Sequence, residues 1–214
     1  MKSYNQMCGI ACALDIVGDR WTLLILRELL LGELSFGELH KSLGELPTNL
    51  LAQRLKHLQK YSLVEKRQGS GRQTLYALTS EGQSVEPILF ALGAWGFKFL
   101  KPNSKKARRN LRWALTSFKR RIRPISRNFM LQVRARDTAQ SFLVFEKDGR
   151  IYVSSGQTPV ADLNIEGNSE DLIRVVAQCP PRASDQTGVT ATGDESIWTT
   201  LAMAIQKSGT SVAI

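Results

Sequence analysis

The stretch "LDIVGDRWTLLILREL", residues 14–29, decides the fold of the first part of the chain. Within residues 21–31 only Thr22, Arg27 and Glu28 are polar. A helix on a protein surface carries one apolar stripe, about 100° wide or somewhat more. This segment buries more than one face, and it is too short and too closely flanked by charge to span a bilayer. It is therefore either the centre of a small helical domain or part of a subunit interface.

The composition of the 214-residue chain is that of a folded protein, with 43% hydrophobic and 22% charged residues, and its length predicts one or two domains. There is no apolar run of membrane length, and the N-terminus lacks the apolar core and cleavage site of a signal peptide. The three cysteines (Cys8, Cys12 and Cys179) are too few for a disulfide framework. We therefore expect a cytoplasmic protein with no membrane partner.

The net charge of +10 is concentrated in one segment. Residues 101–127 hold 11 Lys and Arg and no acidic residue, whereas residues 1–100 hold 11 against 9 and residues 128–214 hold 7 against 10. A basic block of this density favours a polyanion, either nucleic acid or an anionic membrane. The alternative is an ordinary solvated helix. Charge alone favours nucleic acid.

The order of elements up to residue 79 is that of a winged helix-turn-helix. A helix over 8–17 ends at Gly18, and Asp19 caps a second helix that ends at Gly32. Ser35 and Glu38 have capping-box spacing, which predicts a short helix to about Leu43. Another helix begins at Pro47 or Thr48 and runs to about Tyr61. The segments "SLVEKR" and "TLYALT" are then strands joined by the turn "QGSGRQ".

The helix over 48–61 is the predicted DNA-reading element. Leu51, Leu55 and Leu58 form its buried stripe, and the opposite face carries amides, cations and an imidazole but no acid. Amide side chains can pair with adenine edges in the major groove, and Lys can neutralise phosphate. Arg54 lies at the flank, where it can touch either the DNA backbone or the domain itself. The hairpin formed by "SLVEKR", "QGSGRQ" and "TLYALT" is the wing of this motif. The predicted DNA-binding residues are Thr48, Asn49, Gln53, Arg54, Lys56, His57 and Lys60, with Arg67 and Arg72 of the wing.

A long helix is predicted from "TSEG" (79–82) to about Leu100. Apolar residues at 85, 88, 92, 95 and 99 form a heptad seam, and Phe90 and Phe97 form a second stripe. One stripe is expected to cover the domain and the other a second subunit, which leaves the helix over 20–31 as the domain centre. The predicted dimer interface comprises Ile10, Leu14, Val85, Leu89, Leu92, Trp95 and Phe99.

Residues 8–100 closely resemble the HxlR-type winged helix-turn-helix regulators of bacteria and archaea. The resemblance rests on "GDRWTLLILREL", "SFGEL", "LLAQRLKHL", "LVEKR" and "ALTSEG…W", in that order. It implies a homodimer that binds palindromic double-stranded DNA through the helix carrying Asn49 and Gln53. It also implies dimerisation through the first helix and the 83–100 helix. Cys8 matches an N-terminal cysteine that senses oxidants or electrophiles in some members.

Residues 101–127 form a predicted basic helical linker, with an amphipathic helix over 105–123. Its apolar side can dock on either domain, while its cations can contact phosphate or lie on a membrane surface. From residue 128 the pattern has a period of two. Five strands and two helices, with a hairpin turn at Asp148-Gly149, predict an α+β domain over 128–214. We expect an antiparallel sheet with helices on one face.

The phrases "DLNIEG" and "GVTATGD" make this second part similar to sterol-carrier-protein-like domains. That likeness implies an apolar tunnel for a small lipophilic ligand. The alternative is a packed domain without a cavity. The candidate wall consists of Phe129, Leu131, Val133, Phe142, Val144, Trp198 and Leu201.

The sequence carries no recognisable catalytic constellation, metal-ligand spacing or cofactor motif, so we expect no enzyme, no metal and no cofactor. Three functions remain. The first is a DNA-binding regulator, with or without control by a lipophilic ligand. The second is a lipid-binding or transfer protein whose first part is a dimer platform. The third is a thiol redox protein that uses Cys8 and Cys12, four residues apart, or a redox-sensing regulator that acts through Cys8. The outer face of the 48–61 helix and the basic block favour the first.

Overall fold

The computed structural model describes residues 3–100 and 107–205. The chain divides into two compact units, Met1–Ala91 and Leu92–Ile214. The first two positions of the predicted basic helix over 105–123, residues 105 and 106, lie outside the described residues.

The first unit has the predicted order of helix, turn, helix and hairpin. A small antiparallel sheet of order β1-β3-β2 accompanies its helices. The helices are α1 (Gly9–Val17), α2 (Thr22–Leu29), α3 (Phe36–Leu43), α4 (Thr48–Lys60) and α5 (Ser80–Gln83), and the strands are β1 (Leu34–Ser35), β2 (Val64–Gln68) and β3 (Thr74–Leu78). The boundary between the two units falls within the next helix, α6 (Glu86–Phe97).

Helix α2 is the centre of this unit. Ile25, Leu26 and Leu29 are each at most 2% exposed, so the over-apolar stretch is a core helix. Glu28 on the same helix is also fully buried. Its carboxylate accepts a hydrogen bond from the Ser42 hydroxyl of α3 at 2.7 Å and pairs with Arg27. Because a buried carboxylate needs donors, this contact fixes α3 against α2.

Two predicted helix boundaries are wrong. Helix α2 is preceded by Trp21 rather than capped directly by Asp19, whose carboxylate instead accepts the Trp21 N–H in a turn, at 3.1 Å. The predicted long helix is two helices, with a break between Gln83 and Glu86. Pro87 explains the break, because proline has no N–H to donate to the carbonyl of Gln83, and in a continuous helix its ring would collide with that carbonyl.

The second unit has the predicted strands and helices. Its five-stranded sheet has the order β6-β5-β4-β7-β8. The elements are α7 (Leu111–Arg121), β4 (Met130–Ala135), β5 (Ser141–Lys147), β6 (Arg150–Ser155), β7 (Leu163–Gly167), α8 (Ser169–Gln178), β8 (Val189–Gly193) and α9 (Ser196–Met203).

The prediction that this sheet is antiparallel is wrong for one pair of strands. β4 and β7 run parallel, with Leu131 opposite Leu163, whereas the other three strand pairs are antiparallel. Alternation of apolar and polar residues is the same in both strand directions, so the sequence pattern carries no information on direction. The predicted turn is confirmed, since Asp148 and Gly149 both have positive φ, as a two-residue type I′ hairpin requires.

The interior of the second unit is filled by its own side chains at the predicted wall. Phe118 of α7 stacks on Trp198 of α9, with ring centroids 5.7 Å apart, so α7 packs within this unit through its apolar side. The seven predicted wall residues are all at most 5% exposed. A ligand at this place would have to separate them, and ligand binding here stays a prediction.

Gly82 provides a test of the packing in the first unit. A Cβ at this position would overlap the carbonyl oxygen of Leu63. We expect Gly82→Ala to lower the free energy of unfolding by about 1–3 kcal/mol, the usual cost of overpacking. Gly37→Ala is the matched control, because a Cβ there meets nothing within 4 Å. It should raise the free energy by about 0.5–1 kcal/mol through helix propensity. Urea unfolding measures both, and equal effects would contradict this packing.

Candidate nucleic-acid interface

The outer face of α4 is exposed as the sequence predicts. Leu51, Leu55 and Leu58 are at most 1% exposed and anchor the helix in the core. The predicted face opposite them is open to solvent and consists of Asn49, Gln53, Lys56 and Lys60, with Thr48 at the helix start. A concavity of about 590 Å³, open to solvent, lies against this part of the helix and is lined by Gln53, Lys56, His57, Gln59 and Lys60.

Arg54 and His57, by contrast, make contacts inside the domain. The Arg54 guanidinium lies 2.8 Å from the Asp19 carboxylate, and its side chain is only 14% exposed. The Nε2 atom of His57 is 2.9 Å from the carbonyl oxygen of Ile16 in α1. Of the two partners open to Arg54, the DNA backbone and the domain itself, the structure shows the domain. Both contacts hold α4 against the rest of the domain, and DNA contact by Arg54 or His57 stays a prediction.

The wing presents its two predicted cations differently. The Arg67 guanidinium donates to the Glu65 carboxylate at 2.7 Å and lies 3.8 Å from Glu33. These carboxylates offset much of its charge. Arg72 is exposed in the turn between β2 and β3, next to Gly71, whose φ of 65° requires a glycine-like residue. Arg72 is therefore the better placed of the two to meet a phosphate.

Much of the basic block is used inside the second unit. Arg112 is 5% exposed and donates to the Ser155 hydroxyl at 2.6 Å, while Arg121 donates to the Val176 carbonyl at 2.7 Å, near the end of α8. Arg109 and Arg127 pair with Glu170 and Asp194. The eleven cations thus overstate the charge that this segment offers to a polyanion.

The predicted dimer residues divide into two groups. Five of them are between 41% and 74% exposed: Ile10, Leu14, Leu92, Trp95 and Phe99. The other two belong to the domain core, since Val85 is 7% exposed and Leu89 packs against the core cluster. Ile88, which the sequence placed in the same seam, is 53% exposed and takes their place on the outer side. Helix α6 buries none of its own residues.

Cys8 and Cys179 have opposite environments. Cys8 is exposed at the N-cap of α1, where hydrogen bonds from the Ala11 and Ile10 amides lower the pKa of its thiol. Cys179 follows α8, and burial raises the pKa of its thiol to about 11 against the opposing effect of Arg121. Cys8 is therefore accessible at the surface, and Cys179 is not.

Two further observations concern residues 3–100 and 107–205. No three His, Cys, Asp or Glu side chains among them come together in a way that could hold a metal ion. None of their helices has the length and apolar character needed to cross a membrane.

Helices α3 and α4, the turn between them and the hairpin β2–β3 define a winged helix-turn-helix protein. Residues 16–104 match the HxlR-like helix-turn-helix family, and the chain belongs to this family. The regulator YvaP of Bacillus subtilis is 31% identical over 102 residues, which are 46% of this chain and 94% of YvaP. The regulator Rv3095 of Mycobacterium tuberculosis is 38% identical over 94 residues, 43% of this chain.

The chain spans only 59% of the length of the mycobacterial relative. Among solved structures, the reduced form of the B. subtilis transcriptional regulator YodB is 27% identical. The match covers 46% of this chain and 100% of YodB, with a TM-score of 0.40. The curated relatives are named transcriptional regulators, which implies a role without catalysis for this family.

The two thiols predict a pH-dependent difference in alkylation. At pH 8 a thiol with a pKa of about 11 is roughly 0.1% ionised, so iodoacetamide should label Cys8 long before Cys179 in the folded protein. Because the Cys8 pKa is lowered, its labelling rate should reach half its maximum at a lower pH than that of an unperturbed cysteine. Peptide mass spectrometry over a pH series measures both rates. Comparable labelling of the two residues in the native state would contradict this assignment.

Proposed function

We propose that this chain is a dimeric transcription regulator that binds palindromic double-stranded DNA through α4. The observation that carries the proposal is the exposed face of α4, with amides and cations and no acid. The helix bearing this face is fixed on its other sides by the leucine stripe and by the Arg54–Asp19 ion pair. A rigidly held helix of this kind is what major-groove recognition requires.

The side chains on this face suit different tasks. Asn49 and Gln53 can each present an amide to the edge of an adenine, which needs both a donor and an acceptor. Lys56 and Lys60 suit phosphate contacts, which add affinity without sequence preference. Thr48 lies at the N-terminus of the helix, where backbone N–H groups also favour phosphate. Arg72 would add a contact from the wing.

The residues proposed to contact a second copy are the exposed apolar residues of α6, Phe99 just beyond its end, and, on α1, Ile10 and Leu14. Trp95 and Phe99 are 60% and 65% exposed, with ring centroids 5.0 Å apart. Several large apolar side chains exposed along one helix mark an interaction site in an ordinary protein. A second copy of the chain is the partner that palindromic DNA requires.

Control through Cys8 is a second candidate, favoured by its exposure and lowered pKa. A thiolate at a helix N-terminus is stabilised by the adjacent N–H groups and reacts faster with oxidants. In this version of the function, alkylation of Cys8 changes affinity for DNA. Control by a lipophilic ligand bound to the second unit has less support than control through Cys8, because the candidate wall residues are buried.

Two substitutions on α4 separate base reading from phosphate binding. We expect Gln53→Ala to cost about 1–3 kcal/mol of binding free energy and to relax base preference at one position per half-site. Lys56→Ala should weaken binding to all sequences alike and reduce the slope of log K against log salt by about one unit per contact. Duplexes selected from a random pool, titrated by fluorescence anisotropy at several salt concentrations, measure both effects.

The control for these variants is Lys147→Ala, which removes an exposed lysine at the β5–β6 hairpin. It should leave base preference unchanged. The proposed orientation of α4 is wrong if Gln53→Ala and Lys56→Ala change binding no more than this control does, or if both alter only base preference.

Introducing a charge into the apolar side of α6 tests the dimer. We expect Trp95→Glu to shift the dimer toward monomer, with at least a roughly 30-fold weaker self-association, because about 2 kcal/mol is typical of a central aromatic residue in an interface. Analytical ultracentrifugation measures the shift. Val160→Glu is the matched control, since Val160 is 78% exposed outside the proposed surface. A wild-type chain that sediments as a monomer would refute this part of the proposal.

A further inference from the structure

Two exposed thiols lie one helical turn apart at the start of α1. The amide of Cys12 donates a hydrogen bond to the carbonyl oxygen of Cys8 at 2.9 Å, which holds the two residues at positions i and i+4. Both side chains are exposed. Cys8 is the extended N-cap residue of α1, and Cys12 lies within the helix. The Cα–Cβ bond of a helical residue tilts toward the N-terminus. The Cys12 side chain therefore leans toward Cys8.

We infer that Cys8 and Cys12 form a bidentate site for trivalent arsenicals, soft electrophiles that bond to two thiols at once. The inference goes beyond redox sensing by these cysteines, because both sulfurs stay reduced and are bridged by one added atom.

The spacing favours such a bridge over a disulfide. Within a helix, Cβ atoms at i and i+4 are about 5–6 Å apart, whereas a disulfide needs about 3.5–4.5 Å. We take the helical value as the guide for Cys12 and the N-cap residue Cys8. Direct oxidation would therefore require the first turn of α1 to distort. An atom that bonds to sulfur at about 2.3 Å, as a soft metal does, separates the two sulfurs by more than 3 Å and spans the longer gap. The first turn can then keep its hydrogen bond.

The site also stays accessible when α1 contacts a partner. At about 100° per residue, Cys12 lies roughly opposite Ile10 and Leu14 around the helix, and Cys8 precedes the helix at its N-cap. The apolar pair can pack against a second copy while the thiols face solvent.

The reaction with a monosubstituted arsenical is balanced without an oxidant. In phenylarsine oxide the arsenic atom bears one oxygen and one phenyl group. Two S–H bonds break and two As–S bonds form, and both protons leave with the arsenic oxygen as one water molecule. Arsenic stays trivalent and both sulfurs stay reduced. The product is a cyclic dithioarsenite across the first turn of α1.

The experiment uses the full chain and phenylarsine oxide, without DNA, so its outcome is independent of the proposed regulation. We expect one phenylarsenic group per chain by intact mass spectrometry and a loss of two of the three free thiols. The adduct should survive excess glutathione and be released by 2,3-dimercaptopropanol. The chelate should make the wild type bind at least about 100-fold more tightly than Cys8→Ser or Cys12→Ser.

The matched control is the double variant Cys12→Ser with Ala13→Cys. It keeps two exposed thiols but moves one of them to another face of α1, since Ala13 is exposed and one position further on. It should lose the adduct in glutathione as the single variants do. Retention as tight as in the wild type, a stoichiometry of two, or an adduct that involves Cys179 would each overturn the inference. Circular dichroism shows that the variants remain folded.

Discussion

The burial of α2 constrains everything that surrounds it in the first unit. Its apolar residues Ile25, Leu26 and Leu29 are buried. Its buried acid, Glu28, needs a hydrogen-bond donor, and the Ser42 hydroxyl of α3 supplies one at 2.7 Å. That contact fixes α3, and the short turn from Gly44 to Pro47 then restricts where α4 can begin. The orientation of Gln53 toward solvent thus depends on the buried carboxylate of Glu28.

The sequence predicted the elements of this unit well, because their signals are local. The capping box of Ser35 and Glu38 forms as expected, with the Glu38 N–H 3.3 Å from the Ser35 hydroxyl oxygen. The leucine stripe of α4 is buried as its spacing requires. The two-residue strand β1 was missed, since Leu34 and Ser35 are too few to show alternation, and only their pairing with Tyr76 and Leu75 makes them a strand.

The functional assignments were less predictable, because they depend on which partner a charged side chain finds. The helical wheel placed Arg54 at the edge of the outer face, but no local signal showed that Asp19 would lie 2.8 Å away. Arg112 was counted with the basic block, yet it is buried, 5.4 Å above the ring of Phe142. The composition gives the number of charged side chains, but only the folded structure shows which of them are accessible to a ligand.

The parallel pairing of β4 with β7 has a consequence for how the second unit forms. The meander β4–β5–β6 joins neighbours in sequence, but Leu131 meets Leu163 only after the intervening chain has closed a long loop. The entropy of loop closure is lost before the contact between the two strands contributes any stabilisation, so non-local pairing slows folding. Until β7 has been synthesised and has paired, β4 therefore has a free edge that can pair with another chain.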